Sequence, residues 1–278
     1  MGNNRPRGRT SERELPAIWV GYGKLAKLFR ERARLTQEQL AAEVGYSAEQ
    51  VASIEQGRRP AKVAFTEAAE RVLNAQGVLS TLQDDVDLAK LPAFFQDFAS
   101  IEAEAISRFS YDPLLVPGLL QTEEYARALF AGHCPPFDDE ILERHVEARI
   151  GRQRLLGRTP LVEISFVIGE PALVNGLGGE AVMRRQLRHL VDVGSQRNVE
   201  IQVMPTTAGW HPGLNGPMVL LETSKHRRVG YVESQEIGSF VSDPAMVTAF
   251  GLRYGKLRSQ ALNIEESARF IQRLAGEQ

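Results

Sequence analysis

Residues 36–57 read TQEQLAAEVGYSAEQVASIEQG, and few folds accommodate them. Thr36 stands three residues before Gln39, and Ser47 three before Gln50. Each hydroxyl can accept from the third backbone N–H of a new helix while the glutamine returns to the cap's own N–H. Two helices therefore start within eleven residues of each other. Leu40, Ala41 and Val44 make the apolar stripe of the first, Val51 and Ile54 that of the second. Neither run is long enough to be stable alone in water, so the two must pack on each other. Gly45 can take the positive φ that ends the first helix, and only a tight turn fits before Ser47. The pattern is a helix-turn-helix.

At about 100° per residue, Ser47, Val51, Ile54 and Glu55 of the second helix fall on one side. Ala48, Glu49, Ala52, Ser53 and Gln56 fall on the other and form its presented face. In a major groove the N-terminal half of such a helix meets base edges, which makes Ser47, Ala48, Glu49 and Ser53 the candidate readers, with Gln50 at the margin. Glu49 can accept from a cytosine amino group, and Ala48 or Ala52 can touch a thymine methyl. The plainer alternative is a solvated face of a small bundle, since Ala, Ser, Glu and Gln are ordinary surface residues.

These residues carry a resemblance. The run YGKLAKLFRERARL, then TQEQLAAEVG, YSAEQVASIEQGRRP and AKVAFTEAAERVLNAQG, within residues 22–77, resembles the lambda-repressor-like (XRE) helix-turn-helix domain. The resemblance implies that Gln37 anchors a phosphate, that Ser47, Ala48, Glu49 and Ser53 recognise bases, and that Gln56, Arg58, Arg59 and Lys62 clamp the backbone after the helix. Two positions depart from the family's habit: Ser53 stands where arginine or glutamine is frequent, and Glu49 brings a negative charge to the groove side.

Charge divides the chain in the same place. Residues 1–80 carry 13 Lys/Arg against 9 Asp/Glu, and residues 81–278 carry 20 against 26, so a basic head precedes an acidic body. A basic patch beside such a motif is the electrostatic footprint of phosphate binding. The first fourteen residues, MGNNRPRGRTSERE, hold Arg5, Arg7, Arg9 and Arg13 and almost nothing apolar. They are expected to be disordered in the free protein, as either a DNA-contacting arm or a solubilising tail. They are not a signal peptide, because no apolar stretch follows the arginines. No run of apolar residues is long enough to span a membrane, and the single cysteine, Cys134, forbids an internal disulfide and suits a reducing cytoplasm. We expect an arm at 1–17, an all-α helix-turn-helix domain at 18–80, a linker at 81–92 and an α+β domain with a small mixed sheet at 93–278.

In the body, Phe94–Arg108 reads as a helix with Phe94, Phe98, Ile101, Ala105 and Phe109 on one stripe. Strands are expected at LVEISFVIG, VEIQVMP, MVLLET and RVGYVES, with the helix EAVMRRQLRHLVDVG between the first two and a hairpin from Met218 to Ser234. Two helices close the chain, the last with a capping box at Asn263 and Glu266. The segments VPGLLQTEEYARAL, EARIGRQRLL, EAVMRRQLRHLVDV, NVEIQVMP, GWHPGLNGPMVLLE and YVES resemble the C-terminal domain of WhiJ-like actinomycete regulators, over residues 93–275. That resemblance implies a cytoplasmic, nucleoid-associated transcription factor, antitoxin-like, encoded beside a small partner protein.

Metal and catalytic chemistry find no pattern here. The five histidines form no H-x-x-x-H or H-E-x-x-H, and no C-x-x-C exists, so no metal or other cofactor is expected. His133 beside Cys134 lacks a third member and cannot face it on a regular element, so no catalytic residue is assigned. NGLGGE before Glu180 reads as a loop and cap. Glu163, Glu170 and Glu233 could work as paired carboxylates only if the fold brought two together. The loop AGWHPGLNGP, residues 208–217, is dense in turn formers. Its Trp210 and His211 either contact a partner or ligand, or Trp210 plugs the end of the core. Two function classes stay open: a sequence-specific regulator that binds a pseudo-palindromic double-stranded operator as a homodimer, and an interaction scaffold or antitoxin whose helix-turn-helix supports assembly.

Overall fold

The computed structural model describes residues 15–91 and 93–276. The chain forms two compact units, which divide between Lys90 and Leu91. The arginine-rich segment expected as an arm lies outside the described residues.

The first unit is all helical: α1 (Ala17–Arg32), α2 (Gln37–Val44), α3 (Ala48–Glu55), α4 (Val63–Leu73), α5 (Val78–Thr81) and α6 (Gln83–Leu88). Both predicted capping boxes form. Gln39 N donates to Thr36 Oγ1 at 3.2 Å and Thr36 N to Gln39 Oε1 at 2.8 Å; Gln50 N donates to Ser47 Oγ at 3.2 Å and Ser47 N to Gln50 Oε1 at 2.9 Å. Gly45 takes φ +75° as the left-handed cap of α2. Leu40, Val44, Val51 and Ile54 meet Trp19, Tyr22, Phe65 and Ala69 in one core. Gly23 lets α1 lie directly on α3, since a Cβ there would stand 2.3 Å from the Ile54 carbonyl oxygen.

Residues 81–90 are not the linker that their polarity suggested. Val86 of α6 is fully buried in the head's core, and its carbonyl accepts from Trp19 Nε1 at 3.1 Å. Gln83 accepts from the Thr66 hydroxyl at 2.5 Å, and that hydroxyl meets the Tyr22 hydroxyl at 2.6 Å. Val86, with Leu82 and Ala89 packed beside it, and the Gln83 amide thus tie the segment into the fold, although its three aspartates made it read as a junction.

The second unit is α+β: α7 (Ala93–Ala103), β1 (Ala105–Asp112), α8 (Glu123–Ala131), α9 (Asp139–Arg152), β2 (Glu163–Gly169), α10 (Glu170–Val174), α11 (Glu180–Gly194), β3 (Val199–Met204), β4 (Met218–Thr223), β5 (Arg228–Ser234), β6 (Ile237–Val241), α12 (Pro244–Gln260) and α13 (Ile264–Leu274). The six strands make one mixed sheet in the order β3-β2-β1-β4-β5-β6. β3, β2 and β1 run parallel, and β4, β5 and β6 continue antiparallel. Alternation along β2 sorts the layers. Ile164, Phe166 and Ile168 join Met183, Leu187, Leu190 and Ile271 of α11 and α13, whereas Val167 joins Val247, Phe250, Tyr254 and Leu257 of α12.

The expected crossover and hairpin are both present, as β2-α11-β3 and β4-β5. The long helix after Phe94 is cut short, however: α7 ends at Ala103, and Ala105–Arg108 belong to β1. Ala105 and Phe109, read as members of a helical stripe, stand on the sheet's central strand. The reason is a buried polar row: Arg108 and Ser110 are 4% and 0% exposed. Glu102 at the end of α7 accepts from Arg108 Nε at 2.8 Å and from Arg152 at 2.6 Å. Burial alone would raise the Glu102 pKa, but the two guanidinium groups hold it below the usual carboxylate range. Burial raises the pKa of Asp112, which accepts from the Ser110 hydroxyl at 2.7 Å. Such a row hides a strand from any hydrophobic pattern.

His145 of α9 packs between Phe130 and Phe137, with ring centroids 5.4 and 4.8 Å away. Burial first, then Arg144, Arg149 and His133, lower its pKa to about 4. The unfolded imidazole titrates near pH 6.5. Between these values the unfolded chain binds the extra proton, so stability falls as pH drops from about 6.5 towards 4. His145→Phe should remove this component, so the variant should lose less stability than the wild type between pH 7 and pH 4. Urea titrations of both proteins at pH 7 and pH 4 check it; an unchanged pH dependence in the variant contradicts the assignment.

Candidate nucleic-acid interface

The outer face of α3 is assembled by its neighbours. Its C-terminal turn is a Schellman motif: Gly57 N donates to Ile54 O at 2.9 Å and Arg58 N to Ser53 O at 2.9 Å, with Gly57 at φ +69°. The chain leaving the helix therefore folds back over Ser53, which is 7% exposed. Helical angle alone had placed Ser53 on the presented face. In the folded head it is buried instead.

Glu55, which helical angle sets on the inner side of α3, is buried there. Arg30 of α1 forks onto it, Nε to Oε1 at 2.6 Å and a terminal nitrogen to Oε2 at 3.0 Å, and also donates to the Leu35 carbonyl at 2.8 Å. Gln37 Nε2 completes the set, donating to Glu55 Oε2 at 2.7 Å. One buried carboxylate thus fixes the mutual pose of α1, α2 and α3. The expected phosphate anchor, Gln37, is half-buried with one amide hydrogen engaged, and the second amide hydrogen keeps its donor capacity. No spacing rule links Arg30, Gln37 and Glu55, so only the folded head reveals them as a set.

What remains outward is compact. Ser47, Glu49, Gln50 and Gln56 are exposed, Ala48 and Ala52 half-exposed, and Arg58, Arg59 and Lys62 are exposed in the turn that leads to α4. Gln50 spends its carbonyl oxygen on the Ser47 cap. The presented face therefore carries one charged side chain, Glu49, followed by three cations.

In the body, the loop between β3 and β4 separates its two candidates. Trp210 is 70% exposed, while its own carbonyl accepts from Gln260 Nε2 at 3.1 Å. It does not plug the core. His211 is 7% exposed, with its ring edge-on to Tyr111 at 5.9 Å, and Gly213 lies flat against that tyrosine. The expectation of a paired Trp210 and His211 contact surface is corrected, because the imidazole is packed inward.

The remaining chemical candidates are used elsewhere. His133 meets the Pro135 carbonyl and Glu236 through its two ring nitrogens, not the exposed Cys134. Glu170 accepts from Thr206, and Glu233 from the Tyr231 hydroxyl at 3.1 Å. Gly179 serves as the N-cap of α11. Among the described residues no group of three His, Cys, Asp or Glu could hold a metal ion, and no helix is long and apolar enough to cross a membrane. The buried row on β1 has a neighbour that sequence reading missed: Arg149 of α9 lies 5.1 Å over the Phe130 ring, where burial and then Arg152 lower its pKa to about 10.

Comparison with known families divides the chain where the structure does. A family model described as "Helix-turn-helix domain" matches residues 22–82, and one described as "Domain of unknown function (DUF5753)" matches residues 95–273, more than half of the chain. The chain belongs to the DUF5753 family. No curated protein and no solved structure matches it. The helix-turn-helix match ends at residue 82, within the segment between α5 and α6, and includes Gln37, the α3 face, Arg58, Arg59 and Lys62. The head is a helix-turn-helix domain of the kind that binds DNA, which points to a role in regulation.

Proposed function

We propose that the chain is a sequence-specific transcriptional regulator that binds double-stranded DNA through α3 as a homodimer and receives its signal in the DUF5753 body. The observation that carries this reading is the α3 face. It is kept outward, small and nearly uncharged, while the cations gather in the turn beside it, a division suited to base readout next to phosphate clamping. Ser47, Ala48, Glu49 and Gln50 are the readers, and Gln37, Gln56, Arg58, Arg59 and Lys62 hold the backbone. One such helix without arginine binds weakly alone. Two half-sites about one helical turn apart raise affinity without new contacts.

Glu49→Ala is the test that separates reading from support. Glu49 is exposed on α3 and makes no structural bond that its loss would break, so the head should stay folded. The variant should change the base preferred at one position and hold or tighten overall affinity, since a negative charge leaves the phosphate field. Selection from a random duplex pool by both proteins checks this. An identical preference would show that Glu49 is not a reader.

The body's proposed signal is a small partner protein, in keeping with the WhiJ-like resemblance and an antitoxin-like arrangement. Trp210 supports a docking role: a large aromatic held out on a backbone fixed by two 3-10 turns is the residue type enriched at binding hot spots. Trp210→Ala should weaken capture of a cognate partner by about 2 kcal/mol or more, read by calorimetry. Unchanged affinity would take Trp210 out of the interface. The scaffold alternative predicts DNA affinity that is weak and insensitive to salt.

A further inference from the structure

We propose that two copies of the chain pair edge to edge through β6, antiparallel about a two-fold axis at Ser239, joining their sheets into one. The proposal rests on the homodimer reading above and names its interface.

The two edges of the sheet are treated differently. At β3 the outward groups are capped: Val203 N donates to Ser267 Oγ and Val203 O accepts from Leu262 N, each at 2.9 Å. At β6 no hydrogen bond from another segment reaches the strand among the described residues. Natural sheets blunt such an edge with charge, proline or a bulge. The sequence of β6, IGSFV, has no charge and no proline, and its register with β5 is unbroken. Ile237 and Phe240 are 69% and 39% exposed on it.

The hairpin fixes which backbone groups are available. Gln235 and Glu236 both have positive φ, 50° and 62°, as a two-residue type I′ turn requires. The flanking pair Ser234 and Ile237 then exchanges hydrogen bonds, and bonded pairs recur at Val232–Ser239 and Gly230–Val241. Gly238 and Phe240 consequently aim their N–H and C=O groups at the open edge.

That arrangement matches itself. In the register that pairs all five residues of β6, Gly238 of each copy faces Phe240 of the other, and each such pair exchanges two backbone bonds. Ile237 comes opposite Val241 on one face. On the other face Phe240 of the second copy arrives over Gly238, where the Tyr231 ring already lies, and extends the Phe98, Tyr231, Phe240 row with its 4.2 and 5.3 Å spacings.

Charge agrees with the antiparallel sense. One end of the edge carries Glu236 and, on β5, Glu233, and the other adjoins the β4-β5 turn with Lys225 and Arg227, where Arg228 is already paired with Glu222 at 2.8 Å and Arg227 lines a groove of about 370 Å³ beside Phe240. The two-fold sets the acidic end of each copy beside the basic end of its mate. A second copy is therefore favoured over an unrelated strand.

The test uses the full chain with Cys134→Ser to remove the native thiol. Ser239→Cys lies on the axis at a non-bonded pair, where Cα atoms are about 4.5 Å apart, within disulfide range. It should form a covalent dimer under mild oxidation, whereas Ser195→Cys, exposed after α11, should not. In sedimentation, Ile237→Lys should raise the dimer dissociation constant at least about tenfold with its circular dichroism spectrum unchanged. A dimer that neither cross-links through residue 239 nor responds to Ile237→Lys overturns the β6 interface and leaves the dimeric regulator standing. A wild-type chain that stays monomeric at tens of micromolar overturns the interface, and the DNA reading is then judged on binding alone. Cross-linking only when a foreign protein is added would assign the edge to a different strand and also refute the proposal.

Discussion

Replacing Glu55 by alanine is expected to cost the head about 3–5 kcal/mol of stability, because it leaves the Arg30 guanidinium buried without its carboxylate. That is a large part of the total stability of a small domain. Gln37 loses its support in the same step, so α2 is released from α3. Urea unfolding of the full chain should show an early transition absent from the wild type, and DNA binding should disappear with it. The double change Arg30→Met with Glu55→Leu should recover much of the loss, since replacing both members of a buried pair by apolar residues is frequently neutral. A Glu55→Ala protein as stable as wild type would contradict the view that this carboxylate holds the three helices in place.

Changing Arg58 and Arg59 together to alanine is the prediction with the largest expected effect on binding. Both are exposed in the turn that follows α3, and each is expected to neutralise one phosphate. Removing two such contacts should flatten the slope of log affinity against log salt by about 2 and weaken binding at 0.1 M salt by a factor on the order of 10–100. The loss should be the same for every sequence, because phosphate contacts carry no base information. Fluorescence anisotropy at four salt concentrations, on a selected and a scrambled duplex, measures both. An unchanged slope would remove these arginines from the phosphate path.

The head was more legible than the body, and the difference has a physical cause. Thr36, Gln39, Ser47, Gln50 and Gly45 act within a few residues of themselves, so their spacing reported the caps and the turn directly. Helical angle set Glu55 on the inner side with Val51 and Ile54 but could not show its partner there, Arg30 of a different helix, and Ser53, set on the presented face, is buried in the folded head. In the body, strands with apolar alternation such as β2 and β3 were visible. β1 was not, because its inward row is charged and is stabilised by Glu102 and Arg152 from outside the strand. Trp210 and His211 were adjacent in sequence and opposite in fate, which only the packing of Tyr111 and Gly213 decides.

On the proposed function, α3 reads DNA in pairs. A hydroxyl-radical footprint of the full chain, on the duplex enriched from a random pool, tests it most directly. Two protected half-sites are expected, related by a two-fold and centred about one helical turn apart, with protection lost together as salt rises. Failure of the pool to converge on any sequence, or a single protected half-site bound by a monomer, would contradict it.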